Sequence, residues 1–95
     1  MTHEELLLEI ERTDAKTVLS TPEGRRWVWA LLKSCDVWGY SPADPIEQNR
    51  HAGRRDLGIA VMTRLQELLP GEYALMANEA TKALTDEQLR EQLKR

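Results

Sequence analysis

The chain reads as an all-α protein, a small bundle of four to five helices with no sheet. Three observations predict this. Most apolar residues recur at spacings of three and four, no run alternates apolar with polar as a half-buried strand would, and phenylalanine is absent. Helix-start chemistry supports the reading, because three segments open on a capping side chain followed by a proline or an acid.

The first segment covers about residues 4–11 and carries Leu6, Leu7 and Ile10 on one side. Thr13 and Asp14 interrupt it, so one bent helix and two short ones running on through Val18 and Leu19 are both open. Thr21-Pro22-Glu23-Gly24 is a stronger start. It sets an N-cap hydroxyl before a first-turn proline, whose missing N–H has no helical partner anyway, and before an acid that complements the positive end of the helix dipole. From there Val28, Leu31, Leu32 and Cys35 form an apolar stripe running to about Asp36, with Trp27 one turn behind Leu31. Trp38 and Gly39 lead into a loop bearing Pro42.

Asp44-Pro45 repeats the start and opens the longest helix, over about residues 45–68, whose buried side is expected to be Gly53, Leu57, Val61, Leu65 and Leu68. Gly53 and Gly58 each cost about 1 kcal/mol relative to alanine inside a helix. The pair therefore implies close helix–helix approach or a break near Gly58. Pro70-Gly71 is expected to end that helix and Glu72 to begin the next, with Tyr73, Met76, Ala77 and Ala80 facing inward. Thr85-Asp86-Glu87-Gln88 is a capping box opening a short tail helix. With only Leu89 and Leu93 to bury, that helix is too short to stand alone.

Length and composition bound what such a molecule can do. At 95 residues and 10.9 kDa the chain is expected to form a single helical domain, 1–95. Area scaling gives a compact chain of this mass about 5,600 Å² of accessible surface. The apolar fraction is 41% and the charged fraction 31%, which marks a surface-rich protein. No apolar run approaches the roughly 20 residues that a membrane span requires. One cysteine excludes an internal disulfide and a cysteine-based zinc cluster. A net charge of −3 argues against wholesale neutralisation of DNA phosphates.

No catalytic constellation emerges. His3 and His51 are far apart, and a cysteine nucleophile would need Cys35 beside His51, whereas Cys35 lies on the stripe with Val28 and Leu31. Metal-ligand spacings and phosphate-cradling loops are missing, so no catalytic, cofactor or metal residue is assigned and the chain is expected not to be an enzyme. The basic residues are more distinctive. Arg50, His51, Arg54 and Arg55 cluster on the long helix and Arg25 and Arg26 open the tryptophan helix. Five of the sixteen acids precede Ala15 and four follow Ala77. This pattern fits first a lattice of surface salt bridges, then a contact surface for a protein partner, and least a nucleic-acid contact. Three tryptophans exceed what so small a core can hold. Trp27 and Trp38 are expected to be structural, and Trp29 beside the arginines to be the exposed interface anchor. The contact candidates are thus Arg25, Arg26, Trp29, Arg50, Arg54 and Arg55.

The run Thr21-Pro22-Glu23-Gly24-Arg25-Arg26-Trp27-Val28-Trp29, with Leu31-Leu32, Cys35 and Val37-Trp38 after it, resembles a family of small bacteriophage proteins. The prototype of that family is a Bordetella podophage morphogenesis-region product. Gly53-Arg54-Arg55-Asp56-Leu57-Gly58 and Pro70-Gly71-Glu72-Tyr73-Ala74-Leu75-Met76 continue the resemblance, which spans 18–79. An acidic N-terminal helix, 1–17, and a short C-terminal helix, 85–95, are then peripheral. The loop from Tyr40 to Pro45 departs from the family pattern, being proline-rich with Ile46 where an aromatic is usual.

The resemblance implies a non-enzymatic virion or morphogenesis protein without cofactors. It would act through other phage structural proteins or through self-association, near the portal or among internal proteins ejected with the DNA. Its place would be the virion, and the host cytoplasm during assembly. The alternative is a small phage regulatory protein binding DNA or a host protein in the infected cell.

Overall fold

The computed structural model describes residues 1–39, 44–82 and 84–94. The loop expected around Pro42 lies outside them at positions 40–43. The described residues form five helices and no strand: α1 (His3–Val18), α2 (Pro22–Ser34), α3 (Pro45–Leu68), α4 (Pro70–Ala80) and α5 (Asp86–Leu93).

Local chemistry sets the helix starts. Oγ1 of Thr2, Thr21 and Thr85 accepts a backbone N–H three residues on, and the Asp44 carboxylate accepts those of Ile46 and Glu47. The Thr85 box is reciprocal, since the Gln88 side chain accepts the Thr85 N–H at 2.9 Å. α1 is one continuous helix. The Thr13 and Thr17 hydroxyls donate to the carbonyls of Glu9 and Thr13 at 2.8 and 3.0 Å, so these residues stay inside the helix instead of breaking it. α4 begins at Pro70, earlier than expected at Glu72. Leu69 turns out of the helical region and ends one helix while starting the next, and Pro70 takes the first helical position, where its missing N–H is harmless.

α2, α3 and α4 pack against one another around Leu19, Leu32, Leu69 and Met76, with Val28, Trp29, Met62, Leu65 and Tyr73 packed on this cluster. Two of the four buried residues, Leu19 and Leu69, lie in the bends between helices, so the core pins the bends as well as the helices. α1 lies against the end of α3, where Arg12 Nε donates to the Leu68 carbonyl at 3.3 Å and Arg64 forms a forked pair with Glu11 at 2.5 and 2.9 Å.

The rotation of α3 differs from the expected one. Its inner face carries His51, Gly58, Met62, Leu65 and then Leu69, and both His51 and Gly58 are buried. Gly53, Leu57 and Val61 face outward, with Leu57 64% exposed. The physical reason is at Gly58, where a β-carbon would stand 2.6 Å from both Cys35 Cβ and Val37 Cγ2. Only glycine lets the end of α2 approach so closely, and this contact turns the Leu57 stripe away. Gly53 has nothing within 4 Å of the same imaginary atom. On α2 a similar correction applies, because Leu31 is exposed and the inner side is Val28, Leu32 and Cys35.

The resulting shape is flat, 47 × 42 × 19 Å. Its radius of gyration is 16.2 Å, against about 12 Å for a compact domain of this length. Accessible surface totals 7282 Å², roughly 1,700 Å² above the scaling value for its mass.

The two α3 glycines should respond oppositely to alanine in urea denaturation. Gly58→Ala is expected to lose about 1–3 kcal/mol through overpacking against Cys35 and Val37. Gly53→Ala is expected to gain up to about 1 kcal/mol from helix propensity.

Candidate functional site

The arginines separate into those used inside the fold and those left outside. Arg25 is an internal strut. Its side chain is 11% exposed and bonds Glu79 of α4 through Nε and Nη2 at 2.9 and 2.8 Å, while Nη1 donates to the Leu19 carbonyl at 2.9 Å. It therefore ties α2 to α4 and to the bend after α1, and its guanidinium is not presented to a partner. Arg55 Nε reaches back to the Val37 carbonyl at 3.4 Å.

Arg26 is exposed and donates to the Gln92 side-chain oxygen of α5 at 3.4 Å. Arg50 is exposed with a long contact to Glu47 at 3.4 Å, and exposed Arg54 has no partner among the described residues. The six candidates do not form one cluster. Arg25 and Arg26 sit at the start of α2, whereas Arg55 reaches Val37 beyond its end, roughly 18 Å along the helix.

The tryptophans are arranged differently from the expectation. Trp29 is half-buried, stacked on Trp38 at 4.6 Å between centroids and tilted against Tyr73 at 6.3 Å. The exposed indole is Trp27, at 65%. Trp29 and Leu32 are three residues apart and turn inward together, while Trp27 and Leu31, four apart, share the outer side. Trp38 covers one face of Trp29 yet stays half exposed. The expectation that Trp29 is the exposed indole is therefore corrected: Trp27 is the more open of the two.

A polar pair not anticipated from the sequence lies beside Gly58. Asp36, the residue after the α2 cap, takes a positive φ of 58°, a conformation that aspartate tolerates better than most side chains. Its carboxylate accepts a hydrogen bond from Nε2 of His51, which is 3% exposed, at 2.6 Å. His51 Nδ1 is buried and has no hydrogen-bond partner among the described residues, so Cys35 is not bonded to it. No group of three or more metal-ligating side chains occurs among the described residues. A cleft of about 450 Å³ opens between α2, α4 and α5, floored by Trp29 and Met76 and rimmed by Arg26, Lys33 and Lys82.

The largest feature available for recognition is apolar surface. Among the described residues sixteen large apolar side chains are exposed and five are buried. Eight of the sixteen fall into three groups: Leu6, Leu7 and Ile10 on α1, Trp27 and Leu31 on α2, and Ile46, Leu57 and Val61 on α3. No helix among the described residues is long and apolar enough to cross a membrane.

Helical content, flatness and exposed stripes define a small all-α protein with open faces, built around the motifs that resembled phage proteins. Residues 15–78 match the model of the Bbp19-like phage proteins, and the chain belongs to that family of bacteriophage proteins. The match takes in the end of α1, all of α2 and α3, and most of α4, and leaves the leucine-bearing half of α1 and all of α5 outside. Comparison with curated proteins and with solved structures gave no match.

Two measurements separate paired from free charges. Arg25→Met should lower unfolding stability by about 2 kcal/mol by stranding Glu79 and the Leu19 carbonyl, whereas Arg54→Met should stay within about 0.5 kcal/mol of wild type. Hydrogen bonds from Arg64 hold the Glu11 carboxyl below its ordinary value. That pair contributes fully above the ordinary carboxylate range, and its contribution is lost as the pH falls through the lowered value. A Glu11→Gln variant should melt below wild type at neutral pH, and the two melting temperatures should converge in acid.

Proposed function

We propose that this protein is a non-enzymatic component of the phage particle or of its assembly, acting through protein–protein contacts. The observation that carries the reading is the surplus of accessible surface, roughly 1,700 Å² beyond a compact chain of equal mass, together with the apolar stripes exposed on three helices. Standard protein interfaces take about 800 Å² from each partner, so the surplus matches about two of them. Trp27 with Leu31, edged by Arg26, is suited to anchor one. Ile46, Leu57 and Val61, edged by Arg50 and Arg54, are suited to another. A position near the portal or among internal proteins ejected with the DNA would suit a molecule of this size, as would a transient role during assembly.

The alternative is a regulatory protein of the infected cell. Exposed Arg50 and Arg54 on one face of α3 favour it, and it predicts DNA binding that weakens steeply with salt. Absence of binding at about 50 mM salt removes its DNA form.

Quantitative mass spectrometry of gradient-purified particles tests the main reading. A fixed copy number relative to the portal protein is the expected result. Absence from particles together with abundance in lysate overturns the virion role and leaves assembly or regulation.

A further inference from the structure

We infer that the cleft between α2, α4 and α5 receives an acidic amphipathic helical segment of a partner protein. The inference rests on the contact reading above and gives that partner its chemistry. The cleft holds about 450 Å³, within the roughly 300–1,000 Å³ of natural ligand pockets. Its floor is apolar, with half-buried Trp29 beside fully buried Met76. Ala30 on α2 and Ala80 on α4 carry only a β-carbon each and leave the space open, and Leu84 adds an apolar edge.

The charged part of the lining is unequal. Among the described residues it holds Arg26, Lys33 and Lys82 against one acid, Glu79. The Glu79 carboxylate is already taken by Arg25, at 2.8 and 2.9 Å. Lys33 and Lys82 are exposed and have no side-chain partner among the described residues. Arg26 meets the neutral Gln92 side chain at 3.4 Å. The other acids of these elements, Glu23, Glu72, Asp86, Glu87 and Glu91, lie off the lining, and Glu91 is paired with Lys94. The rim therefore carries a positive excess over an apolar floor, which favours an occupant with the opposite charge and an apolar body.

Spacing selects the form of that occupant. Arg26, Trp29, Ala30 and Lys33 stand at i, i+3, i+4 and i+7 on α2, so two cations roughly 10 Å apart along the axis bracket an apolar centre. Lys82 adds a third cation from the bend after α4. A single carboxylate on an apolar tail reaches only one end of that row. A helix lying along α2, with acids at i and i+7 and large apolar residues at i+3 and i+4, meets both ends and seats its apolar pair over Trp29 and Met76.

The test uses the full chain and a labelled alanine-based peptide of about 15 residues, near the shortest that is helical in water, with Glu, Leu, Leu and Glu at those four positions. Affinity is read by fluorescence anisotropy at about 50 mM salt, where surface charges are weakly screened. Location is read from the methyl NMR signals of Met76 and Leu84, with outward-facing Leu57 of α3 as the reference. Wild type is expected to bind with a Kd below about 1 mM, moving Met76 and Leu84 and leaving Leu57 in place. Replacing both peptide acids by Lys should weaken binding about ten-fold or more. Decanoate, one anion on an apolar tail, should not displace the peptide at equal concentration.

Arg26→Glu with Lys33→Glu should reverse the preference, so that the Lys peptide binds better than the Glu peptide, with unchanged helical circular dichroism. Should this double variant lose its helical signal, Lys82→Glu decides, with an expected loss of roughly three-fold or more for the Glu peptide. Wild type that does not bind, equal affinity for the two peptides, charge variants that keep the wild-type preference, or displacement by decanoate would overturn the inference. A chain found in particles that does not bind the peptide refutes the cleft's role and leaves the virion role standing. A chain that binds it but is missing from particles does the reverse.

Discussion

At position 58 of α3 a missing β-carbon lets the end of α2 settle against the helix backbone, with Cys35 and Val37 in the space a side chain would fill. Because a helix is rigid about its own axis, one close approach sets the direction of every residue along it. His51, Met62 and Leu65 follow Gly58 inward, and Ile46, Gly53, Leu57 and Val61 are carried outward. Asp36 reinforces the same contact from the α2 side, its backbone turned to positive φ and its carboxylate held by the buried His51. The unusual backbone at Asp36 and the buried imidazole are thus parts of one joint between α2 and α3.

The interior completed by that joint is small. Four fully buried side chains, two of them in bends, hold three helices together, and the Arg25–Glu79 pair braces α2 against α4 from the side. α1 is secured mainly at its C-terminal half and at Glu11 and Arg12, and α5 touches α2 through Arg26. A core of this size leaves apolar side chains outside, and they are ordered into stripes at helical spacing.

Legibility from the sequence followed the range of the interactions involved. Helix starts were readable, because Thr21, Asp44 and Thr85 act on backbone groups two or three residues away. Identity of the inner face was not. α3 carries two overlapping stripes, one through Gly53, Leu57 and Val61 and one through His51, Gly58, Met62 and Leu65, about 120° apart around the axis. Periodicity favours the stripe richer in branched aliphatics, and that stripe is present, but outside the chain's own core. Packing against residues twenty or so positions earlier decides between the two, and no local pattern reports it. The same limitation exchanged Trp27 and Trp29, since the rotation of α2 depends on Leu32 and Cys35 meeting α3 and α4. Family membership was legible because its motifs are runs of local sequence, while the roles of single arginines depended on partners such as Glu79, 54 positions away.

The central claim is that α3 turns His51, Gly58, Met62 and Leu65 into the chain's interior and leaves Leu57 and Val61 outside it. Methyl NMR with a soluble gadolinium relaxation probe, recorded on dilute wild type, tests it most directly. The account predicts that the Leu57, Val61 and Ile46 methyls are relaxed by the probe, while those of Leu19, Leu32, Leu69 and Met76 are protected. Protection of Leu57 and Val61 together with strong relaxation of Met62 and Leu65 would contradict it.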